Sequence, residues 1–159
     1  MNAAVDYGAL AELRYQLRVF VSFSERASRE LSVEPQQHQL LLAIKGLPPS
    51  LRPTLGVLAE RLQLRHHSVV ELVDRLERAD LAMRLQSPTD RREILVSVTA
   101  RGERLLRKLS VAHQEELLIT GPRLLTALQA VIAPRRRTAA ASRKSHEPQR
   151  TRERRRATR

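Results

Sequence analysis

The stretch Leu76–Gly102, LERADLAMRLQSPTDRREILVSVTARG, determines how this chain folds. It contains two short segments with strand-forming composition, Ala82–Gln86 and Glu93–Val98. The residues between them include Ser87-Pro88-Thr89-Asp90, which is the composition of a tight turn. Thr99 then suits the N-cap of a long helix. The stretch therefore predicts a two-stranded hairpin that leads directly into a helix.

Two short amphipathic helices are predicted just before this hairpin. Thr54 suits the N-cap of the first, and its apolar stripe consists of Leu55, Leu58, Ala59 and Leu62. The second is predicted from about Arg65 to Ala79 and buries Val69, Leu72, Val73 and Leu76. Two short helices joined by a tight turn form a helix-turn-helix, which alone is a weak signal because many helical domains contain such pairs. A hairpin directly behind the pair is a wing, and it strengthens the interpretation.

Longer helices are predicted on both sides of this module. From about Ala9 to Leu31 the spacing alternates between three and four along the seam Leu10, Leu13, Leu17, Phe20, Ser24, Ala27 and Leu31. Pro35 can begin a second helix that runs to Gly46 and carries Leu40, Leu41 and Ile44. After the hairpin, a helix is expected to run to about Ile119 and to break at Gly121-Pro122. A last helix then carries Leu124, Leu125, Leu128, Val131 and Ile132 on one face. The predicted fold class is mainly α, with the hairpin as an α+β element.

The positive charge is concentrated at the carboxyl end of the sequence. The whole chain of 159 residues carries 29 Lys and Arg against 17 acidic residues, a net charge of +12. Residues 134–159 hold 11 Lys and Arg against 2 acidic residues, a net charge of +9. They contain no Ile, Leu, Val, Phe or Met, so we predict a disordered basic tail. Residues 1–133 form the predicted folded domain.

Composition excludes several classes of function. The chain has no cysteine, which removes disulfides, thiolate nucleophiles and cysteine-ligated zinc. Only 3% of its residues are aromatic, which argues against stacking of single-stranded bases. No phosphate-binding glycine motif and no nucleophile elbow is present, so we predict no enzyme activity and no cofactor. No apolar segment is long enough to span a bilayer and no signal-peptide pattern is present, so we expect a cytoplasmic protein without membrane association.

The motifs around the hairpin resemble those of the MarR-type winged-helix transcriptional regulators. The matching residues are Leu76-Glu77-Arg78-Ala79-Asp80-Leu81, Arg84, Asp90-Arg91-Arg92 and Val96-Ser97-Val98-Thr99-Ala100-Arg101-Gly102. The family pattern has glycine where this chain has Asp80, and Asp tolerates the left-handed conformation better than most residues. It has leucine where this chain has Val98, a conservative difference. The resemblance covers roughly residues 10 to 133 and implies a winged helix-turn-helix with flanking dimerisation helices.

The resemblance implies that the second helix of the pair is a DNA recognition helix. The first turn of such a helix meets base edges in the major groove. Arg and His can donate to guanine, Ser can reach either type of edge, and Glu can accept from cytosine. The predicted base-contacting residues are Arg65, His66, His67, Ser68, Glu71 and Arg75. The alternative is that this polar first turn is only a solvated helix cap.

The resemblance also implies that the wing residues Asp90, Arg91 and Arg92 contact DNA, with Arg92 as the arginine in the minor groove. A long cation at a hairpin tip can reach a narrow, electronegative groove. The Asp90 carboxylate could hold an arginine in place. The alternative is an exposed hairpin that carries ordinary surface charges.

The partners that the resemblance implies are double-stranded DNA with a pseudo-palindromic operator, a second copy of the chain and a small-molecule effector. The flanking apolar helices could equally form an ordinary intramolecular core. The sequence does not show which part of their apolar surface belongs to that core and which part to a dimer interface. No metal site is predicted, because His66 and His67 diverge on one helix and the acidic partners of a metal site do not line up around His113.

The leading hypothesis is therefore a dimeric, ligand-responsive repressor. The alternative is an architectural DNA- or RNA-binding protein whose basic tail dominates binding. The tail itself could add sequence-independent phosphate contacts, or it could be an unselected extension.

Overall fold

A computed structural model describes residues 5–90 and 92–133 of the chain. Five helices and two strands follow one another along the sequence. They are α1 (Tyr7–Glu30), α2 (Pro35–Lys45), α3 (Leu55–Leu62), α4 (His66–Arg78), β1 (Ala82–Gln86), β2 (Ile94–Val98) and α5 (Ala100–Ile132). The prediction of a mainly helical α+β fold with a winged helix-turn-helix is confirmed. The predicted tail, residues 134–159, lies outside the described residues.

The core lies between the helix-turn-helix, α2 and the sheet. Its fully buried side chains come mainly from α2, α3 and α4, and they include Leu40, Leu41, Leu58, Val69, Leu72, Val73 and Leu76. The turn between α3 and α4 is tight because Gln63 adopts the left-handed conformation, with φ of 54°. Thr54 caps α3 by accepting a hydrogen bond from the Val57 N–H at 3.3 Å, as its position in the sequence predicts.

The wing is an antiparallel hairpin of β1 and β2. Ala82 is opposite Val98, Arg84 is opposite Val96 and Gln86 is opposite Ile94. Thr54 adds an isolated bridge to Leu95, and the Val96 N–H donates to the Pro53 carbonyl at 2.9 Å. The segment before α3 therefore supports the outer edge of the wing.

The junction between the wing and α5 explains the T-x-x-G spacing. The Thr99 hydroxyl accepts from the Gly102 N–H at 3.0 Å and donates to the Asp80 carbonyl at 2.7 Å. Asp80 has φ of 56°, so it takes the left-handed conformation in which the family pattern has glycine. The start of α5 is thereby fastened to the turn that follows α4.

One predicted boundary is wrong, because Gly121-Pro122 does not break the last helix. α5 continues through Pro122 to Ile132, and Gly121 keeps a negative φ. Proline in a helix interior lacks one N–H donor and normally kinks or ends the helix, but α5 continues past it. The Thr120 and Thr126 hydroxyls donate to the Glu116 and Pro122 carbonyls, both at 2.9 Å, which helps to hold the helix on either side.

The two flanking helices α1 and α5 pack against each other. Some of their apolar residues lie in this contact, and others are exposed to solvent. Phe20 and Phe23 of α1 contact His113 of α5, with ring centroids 5.9 and 5.4 Å from the histidine. Leu10 and Leu17 of the predicted seam are exposed, however, and so are many apolar residues of α5. Within the described residues, no helix is both long and apolar enough to cross a bilayer.

Candidate nucleic-acid interface

α4 presents a polar surface because its apolar face is entirely used by the core. Val69, Leu72, Val73 and Leu76 are all buried, as predicted. His66, His67 and Glu71 are exposed, and Ser68 is half-buried. The predicted base-contacting residues therefore lie on the part of α4 that a ligand can reach.

The first turn of α4 is left without a side-chain cap. Arg65 occupies the N-cap position with extended backbone, and its side chain cannot accept a hydrogen bond from the helix. The free N–H groups and the positive end of the helix dipole together favour a negatively charged group at this point. The exposed side chains of Arg65, His66 and His67 add donors around it. This turn is chemically suited to phosphate and to the acceptor edges of guanine.

Glu71 and Arg75 are paired with each other one turn further along α4. Their closest oxygen and nitrogen atoms are 3.6 Å apart, and both side chains are largely exposed. A pair this long in solvent contributes little stability, so either partner is available to a base edge. Asp74, which shares this side of the helix, is instead engaged by Arg84.

The wing tip is organised by Ser87 and Asp90. The buried Ser87 hydroxyl oxygen accepts from the backbone N–H groups of Thr89 and Asp90 at 3.3 and 3.2 Å. Asp90 Oδ1 accepts from the Arg92 backbone N–H at 2.9 Å. Asp90 thus bonds the main chain of Arg92, and Arg91 lies outside the described residues. The Arg92 side chain is exposed, and among residues 5–90 and 92–133 it has no ion-pair partner, so it is accessible to a groove.

The base of the wing is tied to the segment before α3 by Arg52. Its guanidinium forms an ion pair with Glu93 at 2.5 Å and donates to the Ser87 hydroxyl. The Ser87 N–H donates to the Glu93 carbonyl at 2.9 Å, which closes the hairpin. Arg52 therefore connects both ends of the turn to the helix-turn-helix.

Arg84 connects the wing to α4 on its other side. Its guanidinium forms ion pairs with Glu77 and with Asp74, the latter at 2.7 Å. It also donates to the Val70 carbonyl at 3.4 Å. Partial burial alone would lower the pKa of Arg84, but hydrogen bonds and the charges of Asp74 and Glu77 outweigh it and raise that pKa. In the sequence, Arg84 stands out only as part of the family pattern, and its bonds to α4 were not predicted. One signal was available: an arginine in a short strand, beyond a helix with carboxylates three residues apart.

His38 and His113 come together although they lie on different helices. Their ring centroids are 4.8 Å apart, and His38 is almost fully buried. His113 Nδ1 donates to the Leu109 carbonyl at 2.7 Å, and its Nε2 lies 2.8 Å from the Ser24 hydroxyl. In the described part of the chain, no three histidine or acidic side chains are grouped so that they could hold a metal ion. The pair is a packing contact between α2 and α5.

The comparisons with known proteins agree with this geometry. A MarR family model matches residues 31–93, which span α2, the helix-turn-helix and the first part of the wing. The HTH-type transcriptional regulator YsmB of Bacillus subtilis is 24% identical over 112 residues, which cover 68% of this chain and 75% of YsmB.

Solved structures share the fold over most of the chain. AbsC, a MarR family transcriptional regulator from Streptomyces coelicolor, superposes with a TM-score of 0.64 at 18% identity, covering 84% of this chain and 95% of AbsC. A MepR mutant of S. aureus bound to an oligodeoxyribonucleotide superposes with a TM-score of 0.56 at 19% identity, covering 80% of this chain and 96% of MepR. The family match to α2, the helix-turn-helix and the first part of the wing, together with the shared fold, shows that this chain has the winged-helix fold of the MarR family transcriptional regulators and resembles them in its DNA-binding module.

Proposed function

We propose that the chain is a sequence-specific regulator of transcription that binds double-stranded DNA as a homodimer. The observation that carries this proposal is α4: its apolar face is buried, while its uncapped first turn presents Arg65, His66 and His67 to solvent. In a helix-turn-helix, this turn enters the major groove and the wing reaches the adjacent minor groove. The oligodeoxyribonucleotide bound by the MepR relative supports the same use of the fold.

The apolar surfaces of α1 and α5 support a homodimer. Leu118 and Ile119 are 81% and 73% exposed in the single chain, although both are large and apolar. Further exposed apolar residues lie on the same two helices: Tyr7, Leu10, Tyr15, Leu17, Val21, Leu125, Leu128 and Ile132. A surface of this size is costly in water, and a second copy would cover it. A two-fold dimer would also place two recognition helices about 34 Å apart on a pseudo-palindromic operator.

The regulator acts as a repressor in this proposal, because a dimer on such an operator blocks access to a promoter. A small, frequently aromatic effector would release it by favouring a spacing of the two α4 helices that does not match DNA. The junction of the flanking helices with the DNA-binding module is where such a change would be transmitted.

The base-reading role is tested on DNA selected from a random pool by the full chain. Alanine at His67, Ser68 or Glu71 is expected to relax preference at individual base pairs of the half-site, with a cost of about 1–3 kcal/mol per lost contact. Arg92→Ala should instead weaken binding and reduce preference for A·T-rich flanks, leaving the half-site ranking intact. Arg29→Ala, which removes an exposed arginine of α1, is the matched control. Wild-type affinity in Arg92→Ala would remove the wing from the mechanism.

The homodimer is tested by placing charge on its proposed interface. Leu118→Asp with Ile119→Asp is expected to weaken dimerisation about 100-fold or more, because the carboxylates would lose water without gaining partners. Sedimentation at micromolar concentration measures the change. Leu42→Asp is the control, since Leu42 is an exposed leucine on α2. A wild-type chain that sediments as a monomer, or a double variant that stays dimeric, would contradict this interface.

The architectural alternative is separated by a truncation after Ala133. Eleven Lys and Arg in residues 134–159 can release counterions but carry no fixed base-reading geometry. The shortened protein should show a flatter salt dependence and the same ranking of sites. Loss of most binding, with no site preference left, would favour the architectural protein.

A further inference from the structure

Within the described residues, the Arg84 side chain bonds only the recognition helix α4. It lies in β1 opposite Val96, and its guanidinium reaches Val70, Asp74 and Glu77 of α4. Its backbone N–H also donates to Glu77 Oε1 at 2.7 Å. The bonded positions on α4 cover two turns, so this one residue restrains both the distance and the angle between β1 and α4.

We propose that Arg84 is a positioning residue that sets the spacing between the half-site bases and the minor-groove flank that the protein accepts. This inference rests on the proposed function, in which α4 contacts bases and the wing contacts the flank. α4 and the wing bind the same rigid duplex. A change in the position of the wing relative to α4 therefore changes the distance between half-site and flank at which both can bind together. Arg84 itself need not touch DNA.

In the described part of the wing, two arginine side chains, Arg52 and Arg84, anchor different regions of the hairpin. Arg52 bonds Ser87 and Glu93 at the base of the turn, and it comes from the segment before α3. Arg84 bonds α4 from the middle of β1. Loss of the Arg84 side chain would leave the hairpin closed and attached through Arg52 and the Val96–Pro53 backbone bond, but it would remove the guanidinium bonds that restrain the angle between β1 and α4.

The bonds of Arg84 to Asp74 and Glu77, here called the clamp, are separate from the hydrophobic core that holds α4 in place. Val69, Leu72, Val73 and Leu76 fill the buried face of the helix, whereas the Asp74 and Glu77 side chains lie beside that face and are partly exposed. The side chains of Arg84, Asp74 and Glu77 are 27%, 44% and 33% exposed, and ion pairs with this degree of exposure contribute modestly to stability. Substitution should therefore change the placement of the wing more than it changes folding.

Arginine suits this position because its planar group carries five donors in a fixed fork. Two carboxylates and one carbonyl can be bonded together only by a group with several donors in fixed directions. Lysine would supply charge but not the fork, so Arg84→Lys should retain only part of the restraint.

The experiment uses the full chain and an operator selected by it from random DNA. One, two or three base pairs are inserted between the half-site and its A·T-rich flank, and affinity is measured for each spacing. The wild type should lose at least tenfold in affinity at a wrong spacing. For Arg84→Gln, the loss of affinity at a wrong spacing should be less than about threefold, and the ranking of half-site bases should be unchanged. The loss for Arg84→Lys should lie between those of the wild type and Arg84→Gln.

Arg78→Gln is the matched control, because Arg78 bonds the Asp74 carbonyl within α4 and does not reach the wing. Glu77→Gln is the second variant, since it weakens the clamp while the Asp74 bond remains. A folded Arg84→Gln protein with wild-type spacing discrimination would overturn the proposal, and so would loss of cooperative unfolding in both Arg84→Gln and Glu77→Gln. A wild type with half-site preference but no flank dependence would refute the wing's role, whereas no site preference at all would refute the proposed function itself.

Discussion

Gly102→Ala is expected to destabilise the fold by about 3 kcal/mol or more, because there is no room for a side chain at this position. A Cβ on Gly102 would lie 2.0 Å from the Leu81 carbonyl oxygen and 2.8 Å from Val98 Cγ1. The nearest atom belongs to the backbone, so it cannot move aside as the end of a flexible side chain could. Leu81 is also fixed, since its carbonyl accepts from the Thr99 N–H at 3.1 Å. The loss is measured from urea unfolding monitored by circular dichroism.

Gly56→Ala is the matched control for this prediction. Gly56 also lies in the first turn of a helix, but an added Cβ would meet nothing within 4 Å. Its φ is not positive, so alanine fits the backbone and should stabilise the protein by about 0.5 kcal/mol. Equal unfolding midpoints for the wild type and Gly102→Ala would show that α5 does not pack on the α4–β1 turn as described.

Local patterns predicted the DNA-binding module well. β1 matches the predicted Ala82–Gln86, and α4 begins and ends within one residue of its predicted bounds. These elements are short, and their ends are marked by residues with a local physical role: Thr54 and Thr99 cap the helices that follow them. The family pattern has glycine at Asp80, a residue type that tolerates the left-handed conformation, and the φ of 56° at Asp80 lies in that region.

Features that depend on distant residues could not be predicted in the same way. The proline in α5 is typical of a helix end in sequence, but the helix continues through it to Ile132. The Arg52–Glu93 contact joins residues 41 positions apart and needs the fold to bring them together. Likewise, the spacing of the α1 seam does not predict which of its residues contact α5 and which are exposed to solvent. The base-contacting roles of Arg65, His66, His67, Ser68, Glu71, Arg75, Asp90, Arg91 and Arg92 remain predictions.

The stability of the protein is expected to fall steeply in mild acid because of His38. Burial, followed by the charge of His113, lowers the pKa of His38 from 6.5 to about 4. In the unfolded chain the ring takes up its proton near pH 6.5, whereas in the folded chain it stays neutral down to about pH 4. The unfolded state therefore binds more protons within this window, and the free energy of unfolding decreases as the pH falls.

The size of the acid effect follows from the shift in pKa. The contribution of His38 is fully present above pH 6.5 and is lost by about pH 4, and it amounts to about 3 kcal/mol over that range. The measurement is urea unfolding at intervals between pH 4 and pH 8. Acidic residues also titrate near the lower end of this window, so the decisive quantity is the difference between the wild type and a variant without His38.

His38→Asn is the variant that isolates this contribution. The structure places the Ser28 hydroxyl as a donor to the Ser24 carbonyl at 2.8 Å, so His38 Nδ1, 3.3 Å away, is a donor to the hydroxyl oxygen. An asparagine amide can supply the same donor without titrating. The variant should be less stable at pH 8, because a smaller side chain leaves space between α1 and α2, but its stability should depend less on pH between 6.5 and 4.

Two further variants separate the causes of the shift. His113→Asn removes the neighbouring charge but keeps His38 buried, so the acid-sensitive window should narrow without disappearing, since burial is the larger cause. Leu42→Ala shortens an exposed leucine of α2 and removes no titrating group, so it should leave the slope unchanged. Parallel curves for the wild type and His38→Asn would contradict the burial of a neutral ring at this junction. A difference of about 3 kcal/mol that closes toward pH 4 would show that packing of α2 on α1 and α5 depends on keeping His38 unprotonated.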